Sequence, residues 1–236
     1  MHILVTGASR GIGYELVKRF TLDDNNKVIA ISRNEEQLKR LQDDCLEKTA
    51  TALVKVLPCN LDNNSDIEML GNFVKDKLGY LDILINNAGY LFNHPFENFP
   101  EEEMRRIFNV NVFAVAKLTR LLLPLLEKSR KPHVVNISSM GGFQGSSKFP
   151  GLSMYSASKG ALSILTECMA VELQEKNISV NCLALGAVQT EMLQEAFPDY
   201  KPPMTAAKMA AFIEEFASTG HHFFNGKILP VNLSNP

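Results

Sequence analysis

The chain has 236 residues, 45% hydrophobic and 21% charged, with a formal net charge of −2. That length and apolar content suffice for a large core in one domain, and the near-neutral balance argues against nucleic acid or an acidic membrane as partner, since both select strongly basic surfaces. Cys45, Cys59, Cys168 and Cys182 show no Cys-x-x-Cys spacing, and His94, His133, His221 and His222 show no ligand spacing with carboxylates or thiols, so no metal site is expected.

The first strand is predicted over 2–6, which leaves no room for a signal peptide before it, and a reduced, cytoplasmic location is expected. Further short apolar runs predict strands over 27–31, 52–58, 81–85, 133–137, 179–183 and 227–231. Amphipathic patterns between them predict helices over 11–21, 35–47, 65–78, 101–128, 153–176 and 205–218. The longest apolar helical run, Ala114 to Leu126, carries Lys117, Arg120 and Pro124 and falls short of a membrane span. Most strands are nearly continuous in apolar character, as when helices cover both sheet faces. Strand–helix alternation without repeats or linkers predicts one α/β domain over 1–236, a doubly wound parallel sheet of the Rossmann type with about seven strands. Such a fold places its ligand crevice at the carboxyl ends of the strands.

The loop after the first strand reads Thr6-Gly7-Ala8-Ser9-Arg10-Gly11-Ile12-Gly13 and opens a helix. Gly7 suits a tight turn, Gly11 a close approach of backbone to pyrophosphate, and Gly13 close helix–strand packing, with free helix N–H groups facing the anion. A plain glycine turn would look similar; its position between strand and helix favours phosphate binding. The second strand ends Ile31-Ser32-Arg33, where a carboxylate would bind the ribose 2′-hydroxyl of NAD. Arg33 stands there instead, and with Arg10 it favours the 2′-phosphate of NADP(H) over NAD(H), unless both are solvated surface charges.

Tyr155-Ser156-Ala157-Ser158-Lys159 opens a long helix, and residues four apart share a face. A free tyrosine, with a pKa of about 10, is a poor proton shuttle near neutrality, but an ammonium beside it favours the phenolate. Ser138 and Ser139 end the fifth strand, where a hydroxyl can meet a substrate oxygen or merely cap the loop. Asn86-Asn87-Ala88-Gly89 ends the fourth, as a cofactor-facing loop or an asparagine–glycine turn.

In order and context, Thr6–Gly13, Asn86–Gly89, Ser139 and Tyr155–Lys159 resemble the short-chain dehydrogenase/reductases, and the likeness runs from the first strand to about Val231. It points to the main, single-domain branch of that family. The resemblance implies that Tyr155 is the general acid in reduction or base in oxidation, and that Ser139, in preference to Ser138, polarises the carbonyl. It implies that Lys159 holds the nicotinamide ribose and lowers the tyrosine pKa, and that Asn111, in preference to Asn109, stabilises a helix distortion and a proton-relay water. It places Gly7, Ser9, Arg10, Gly11, Ile12 and Gly13 at the phosphates and ribose, and Asn60 and Leu61 at the adenine. Asn87, Ala88 and Gly89 would flank the ribose, with Tyr155 and Lys159 beside them. Gly186, Val188 and Thr190 would meet the nicotinamide amide or pyrophosphate.

Several positions depart from the family's pattern. Asn60 stands where aspartate is usual, Leu185 replaces a proline, and Ser139 and Tyr155 are further apart than usual through Ser146 to Phe149. Residues 191–204 would form a short substrate lid, whose Phe197, Tyr200, Pro202 and Pro203 suit either an apolar site or an ordinary surface loop.

The function these features predict is an NADP(H)-dependent oxidoreductase acting on a small carbonyl or alcohol. The alternatives are a non-catalytic dinucleotide-binding redox sensor and an NAD-dependent alcohol dehydrogenase. The family resemblance also implies a homodimer or homotetramer built on the two longest helices.

Overall fold

Two-residue alternation along the strands decides which helices cover which face of the sheet. The computed structural model describes residues 1–233; residues 234–236, the end of the domain expected over 1–236, lie outside the described residues. The strands are β1 (His2–Thr6), β2 (Lys27–Ser32), β3 (Leu53–Pro58), β4 (Ile83–Asn86), β5 (His133–Ser139), β6 (Ser179–Leu185) and β7 (Ile228–Val231). The helices are α1 (Gly11–Phe20), α2 (Glu35–Lys48), α3 (Asn64–Lys77), α4 (Glu101–Phe108), α5 (Ala114–Leu126), α6 (Ser153–Glu172), α7 (Glu191–Ala196) and α8 (Ala206–Thr219). All seven strands pair in parallel in the order β3-β2-β1-β4-β5-β6-β7.

Ile3 and Val5 of β1, Val28 and Ala30 of β2, and Ile83 and Ile85 of β4 face one core, which α1, α2 and α8 complete with residues such as Leu16, Leu38 and Ile213. Leu4, Ile29, Ile31 and Leu84 face the other, closed by α3, α5 and α6 through Leu70, Leu118 and Ala170. Each large side chain fully buried in these cores stabilises the fold by about 2 kcal/mol. The chain runs outward from β1 to β3 and then returns to β4 on the other side of β1. That reversal opens a crevice at the carboxyl ends of β1 and β4.

The helix predicted over 101–128 is interrupted. Asn109–Phe113 forms a π-turn between α4 and α5, with buried Asn111 at its centre. By length and composition, α4, the π-turn and α5 together could cross a membrane. Here α5 packs as a core helix against α3 and β4. In the segment expected to form a short substrate lid, Thr190 caps the short helix α7 by accepting a hydrogen bond from the Leu193 N–H at 3.3 Å.

Candidate active site

The loops at the carboxyl ends of the strands enclose a cleft of about 1140 Å3. One end is built from backbone. Gly7 adopts φ +69° and Gly11 φ +57°, and a Cβ on Gly7 would lie 2.7 Å from the Ala88 Cα. Thr6 and Asn87 fix this loop against β4. The Thr6 hydroxyl accepts from the N–H groups of Asn87 (3.0 Å) and Ala88 (2.9 Å), while the Asn87 amide donates to the carbonyls of Thr6 (2.9 Å) and Gly7 (3.2 Å). A Cβ on Gly13 would collide with the Gly7 carbonyl, so Gly13 is a packing residue and does not itself line the cleft. No side chain caps α1, and its first turn holds no acid. α2 and α3 are instead capped by Asn34 and Asn63. The first N–H groups of α1, at Gly11 and Ile12 beside the cleft, could therefore hold an anion.

Arg33 and Arg40 line the cleft beyond this loop, and among the described residues no ion pair holds either. Arg10 lines it too, but pairs with Glu195 of α7 at 2.9 Å on the surface. Asn60 and Leu61 line the cleft past β3. The Asn60 side-chain carbonyl already accepts from the Asp62 N–H at 3.2 Å, an Asx turn at the position expected to meet adenine.

At the other end, Tyr155 and Ser139 come together. Burial pushes the Tyr155 phenol up to about 12, and its hydrogen bond with Ser139 acts in the opposite direction. Ser139 also accepts from the Gly141 N–H at 3.1 Å, which orients its hydroxyl. Ser138 turns inward: its buried hydroxyl donates to the Lys159 carbonyl at 2.8 Å and ties α6 to β5. Both serines line the cleft, but their hydroxyls have different partners: Ser139 meets Tyr155, while Ser138 anchors the helix that carries it.

Lys159 is buried, and its ammonium lies 5.8 Å from the centre of the Tyr155 ring while donating to the Ile137 carbonyl at 2.8 Å. Burial lowers its pKa to about 8. The expected lowering of the tyrosine by Lys159 is not what this arrangement produces. The ammonium is turned towards a backbone carbonyl, desolvation dominates, and the phenol remains protonated at neutral pH.

Asn111 lies behind these groups and does not line the cleft. Its side chain clamps Tyr90, accepting from the N–H at 2.7 Å and donating to the carbonyl at 2.9 Å, and donates to the Ser158 hydroxyl at 2.9 Å. A Cβ on Gly89 would meet the Lys159 Nζ at 3.5 Å and the Asn111 Oδ1 at 3.6 Å, so these three converge on one point.

A family model described as short chain dehydrogenase matches residues 1–201. The chain belongs to the short-chain dehydrogenase/reductase family. It is 35% identical to ketoacyl reductase HetN of Nostoc sp. strain PCC 7120 over 80% of its own length, although it spans only 64% of that relative. It is 31% identical to 5-keto-D-gluconate 5-reductase of Escherichia coli K12, over 84% of this chain and 76% of the relative. A short chain dehydrogenase of Shigella flexneri, solved in complex with NADP, superposes with a TM-score of 0.85 at 29% identity, covering 97% of this chain and 95% of the other.

Against the pattern of the short-chain dehydrogenase/reductases, the loop following Leu185 remains anchored. Gly186 donates to the Val231 carbonyl at 2.9 Å and Gln189 to that of Met204 at 2.8 Å, while Val188 is buried and the Thr190 side chain packs near Gly11. The longer segment between Ser139 and Tyr155 folds so that Phe149 reaches the ring of Phe197. Among the residues lining the cleft that sequence reasoning missed are Gln37, Arg40 and Tyr90. Gln37 and Arg40 are three apart on one face of α2, a spacing that could have shown them. Tyr90 follows Gly89 directly, and its ring lies under the Arg106 guanidinium at 4.4 Å, a contact with no local signal.

Proposed function

We propose that this short-chain dehydrogenase/reductase reduces a small carbonyl compound with NADPH, and that Tyr155 delivers the proton. The single observation that carries the reading is the cleft-facing Ser139–Tyr155 pair, with the Lys159 ammonium beside it, at the end opposite the glycine loop. A bound nicotinamide would supply the hydride to the carbonyl carbon. Ser139 and Tyr155 would hold the substrate oxygen by hydrogen bonds that strengthen as negative charge gathers on it. A phenol held at about 12 is protonated at neutral pH and is a far stronger acid than an alcohol, so its proton passes to the forming alkoxide. Lys159, beside the Tyr155 ring, would hold the nicotinamide ribose in place. Asn111 acts at a distance, by holding Tyr90 and Ser158 and hence the wall around Lys159.

Gly7, Ser9, Gly11 and Ile12 would cradle the pyrophosphate with the N–H groups of α1, and Asn87, Ala88 and Gly89 would flank the nicotinamide ribose. Arg33, without an ion pair among the described residues and standing where an NAD-binding acid would be, supports NADP(H). Exposed Phe113, Ile164 and Val171 on the π-turn and α6 would serve the homodimer or homotetramer, to be tested by sedimentation. The function itself is tested by following NADPH oxidation with a panel of aldehydes and ketones. Saturable turnover supports it; cofactor binding with no turnover of any carbonyl favours a sensor.

A further inference from the structure

α7 lines the cleft. Glu191 and Glu195, four residues apart, turn towards the phosphate loop: the Glu191 carboxylate lies near Gly11, and Glu195 pairs with Arg10. Met192, Leu193 and Ala196 line the cleft on the other side, followed by Phe197. Across the mouth, Phe149 meets Phe197 edge to face, with ring centres 5.3 Å apart and planes at 76°. The Leu152 N–H donates to the Phe149 carbonyl at 3.3 Å, and Leu152 carries the apolar wall down to Tyr155.

No charge is available at this end. Among the described residues lining the cleft, the charged ones are Arg10, Arg33, Arg40, Glu191 and Lys159. The first four stand at the glycine loop, at the end of β2 and on α2, or beside Gly11; the Lys159 ammonium is directed at the Ile137 carbonyl. Lys148, in the rim loop, does not line the cleft and donates to the carbonyls of Phe143 (2.9 Å) and Ser146 (3.1 Å). A carboxylate or phosphate on the substrate would be desolvated against the two phenylalanines and α7 without a counter-charge, which is strongly unfavourable.

We propose that the substrate is an uncharged, compact, largely apolar ketone or aldehyde. Its carbon skeleton packs between the Phe149–Phe197 pair and the apolar face of α7, and it presents one oxygen to Ser139 and Tyr155. This rests on the carbonyl reduction proposed above. The two rings also set the reach of the site, because a longer substrate must part them.

The test uses the whole 236-residue chain with NADPH or NADH and three ketones, acetophenone and the shape-matched pair 4-acetylbenzamide and 4-acetylbenzoate. Binding of the same ketones to Tyr155→Phe protein with NADP+ is read by saturation-transfer NMR. Between the isosteric amide and carboxylate, kcat/KM is expected to fall at least about tenfold, mostly through KM. Met192→Lys should narrow that gap, and Phe197→Ala should raise KM for acetophenone several-fold while Phe197→Leu restores it. Equal turnover of carboxylate and amide overturns the substrate class and leaves the reductase reading standing. Saturable binding of the neutral ketones alone, with no turnover in the wild type, sinks the reductase reading and keeps the apolar site. Absence of binding by all three ketones overturns the apolar site.

Discussion

The two ends of the cleft are built by different means. The end proposed for the dinucleotide is made of backbone: glycines at positive φ, uncapped N–H groups of α1, and the Thr6–Asn87 brace between β1 and β4. The substrate end is made of side chains from segments far apart in the chain, such as Phe149 and Phe197. A backbone cradle tolerates almost no change at its glycines but accepts many neighbours. A side-chain wall can be altered piece by piece, and each change retunes which substrate fits.

The largest expected effect breaks the cradle. Gly13→Val drives a Cβ and two methyl groups into the Gly7 carbonyl. It should weaken dinucleotide binding by more than about a hundredfold and destabilise the fold by about 1–3 kcal/mol, measured by cofactor titration and urea unfolding. Phe149→Ala at the opposite end should leave cofactor affinity unchanged.

This contrast also explains what was legible in the sequence. Gly7 and Gly11 are dictated by local backbone conformation and Gly13 by its contact with Gly7 in the same loop, so they appear as a local pattern, and the strands appear as short apolar runs because helices bury both of their faces. The four-residue spacing of Tyr155 and Lys159 was equally readable, because helix periodicity fixes it. The direction of the Lys159 ammonium was not, since the Ile137 carbonyl that receives it is 22 residues away. The same holds for α7, for the division of labour between Ser138 and Ser139, and for the aromatic pair at the mouth. The π-turn at Asn109–Phe113 left no trace in the hydrophobic pattern; family resemblance alone suggested a distortion at Asn111.

Next in size is the cost of burying Lys159 beneath the substrate end. Its folded pKa, about 8, lies below the ordinary lysine value of 10.5, so the folded state binds fewer protons between those values. Stability should therefore rise with pH from about 8 towards 10.5, by up to about 2 kcal/mol. Above pH 10 the raised Tyr155 phenol acts the other way, because the unfolded tyrosine ionises first. Lys159→Met should lack the rise between pH 8 and 10 in chemical denaturation, and an unchanged profile would place the charge elsewhere.

Back at the dinucleotide end, Arg33→Ala should weaken NADPH binding about tenfold, the loss of one charge-assisted contact, and leave NADH untouched. Equal loss of both cofactors would remove the 2′-phosphate from Arg33. The smallest effect concerns the ion pair between Arg10 of the glycine loop and Glu195 of α7. Glu195→Gln releases Arg10 from an exposed partner, and NADPH affinity should rise by less than about threefold, an effect that disappears at high salt.

The central claim is that the Tyr155 phenol gives its proton to the substrate oxygen, and single-turnover reduction by Tyr155→Phe tests it most directly. With NADPH bound as tightly as in the wild type, the hydride-transfer rate should fall by about 10²–10⁴-fold. A rate within a few-fold of the wild type, at unchanged cofactor affinity, would contradict the account.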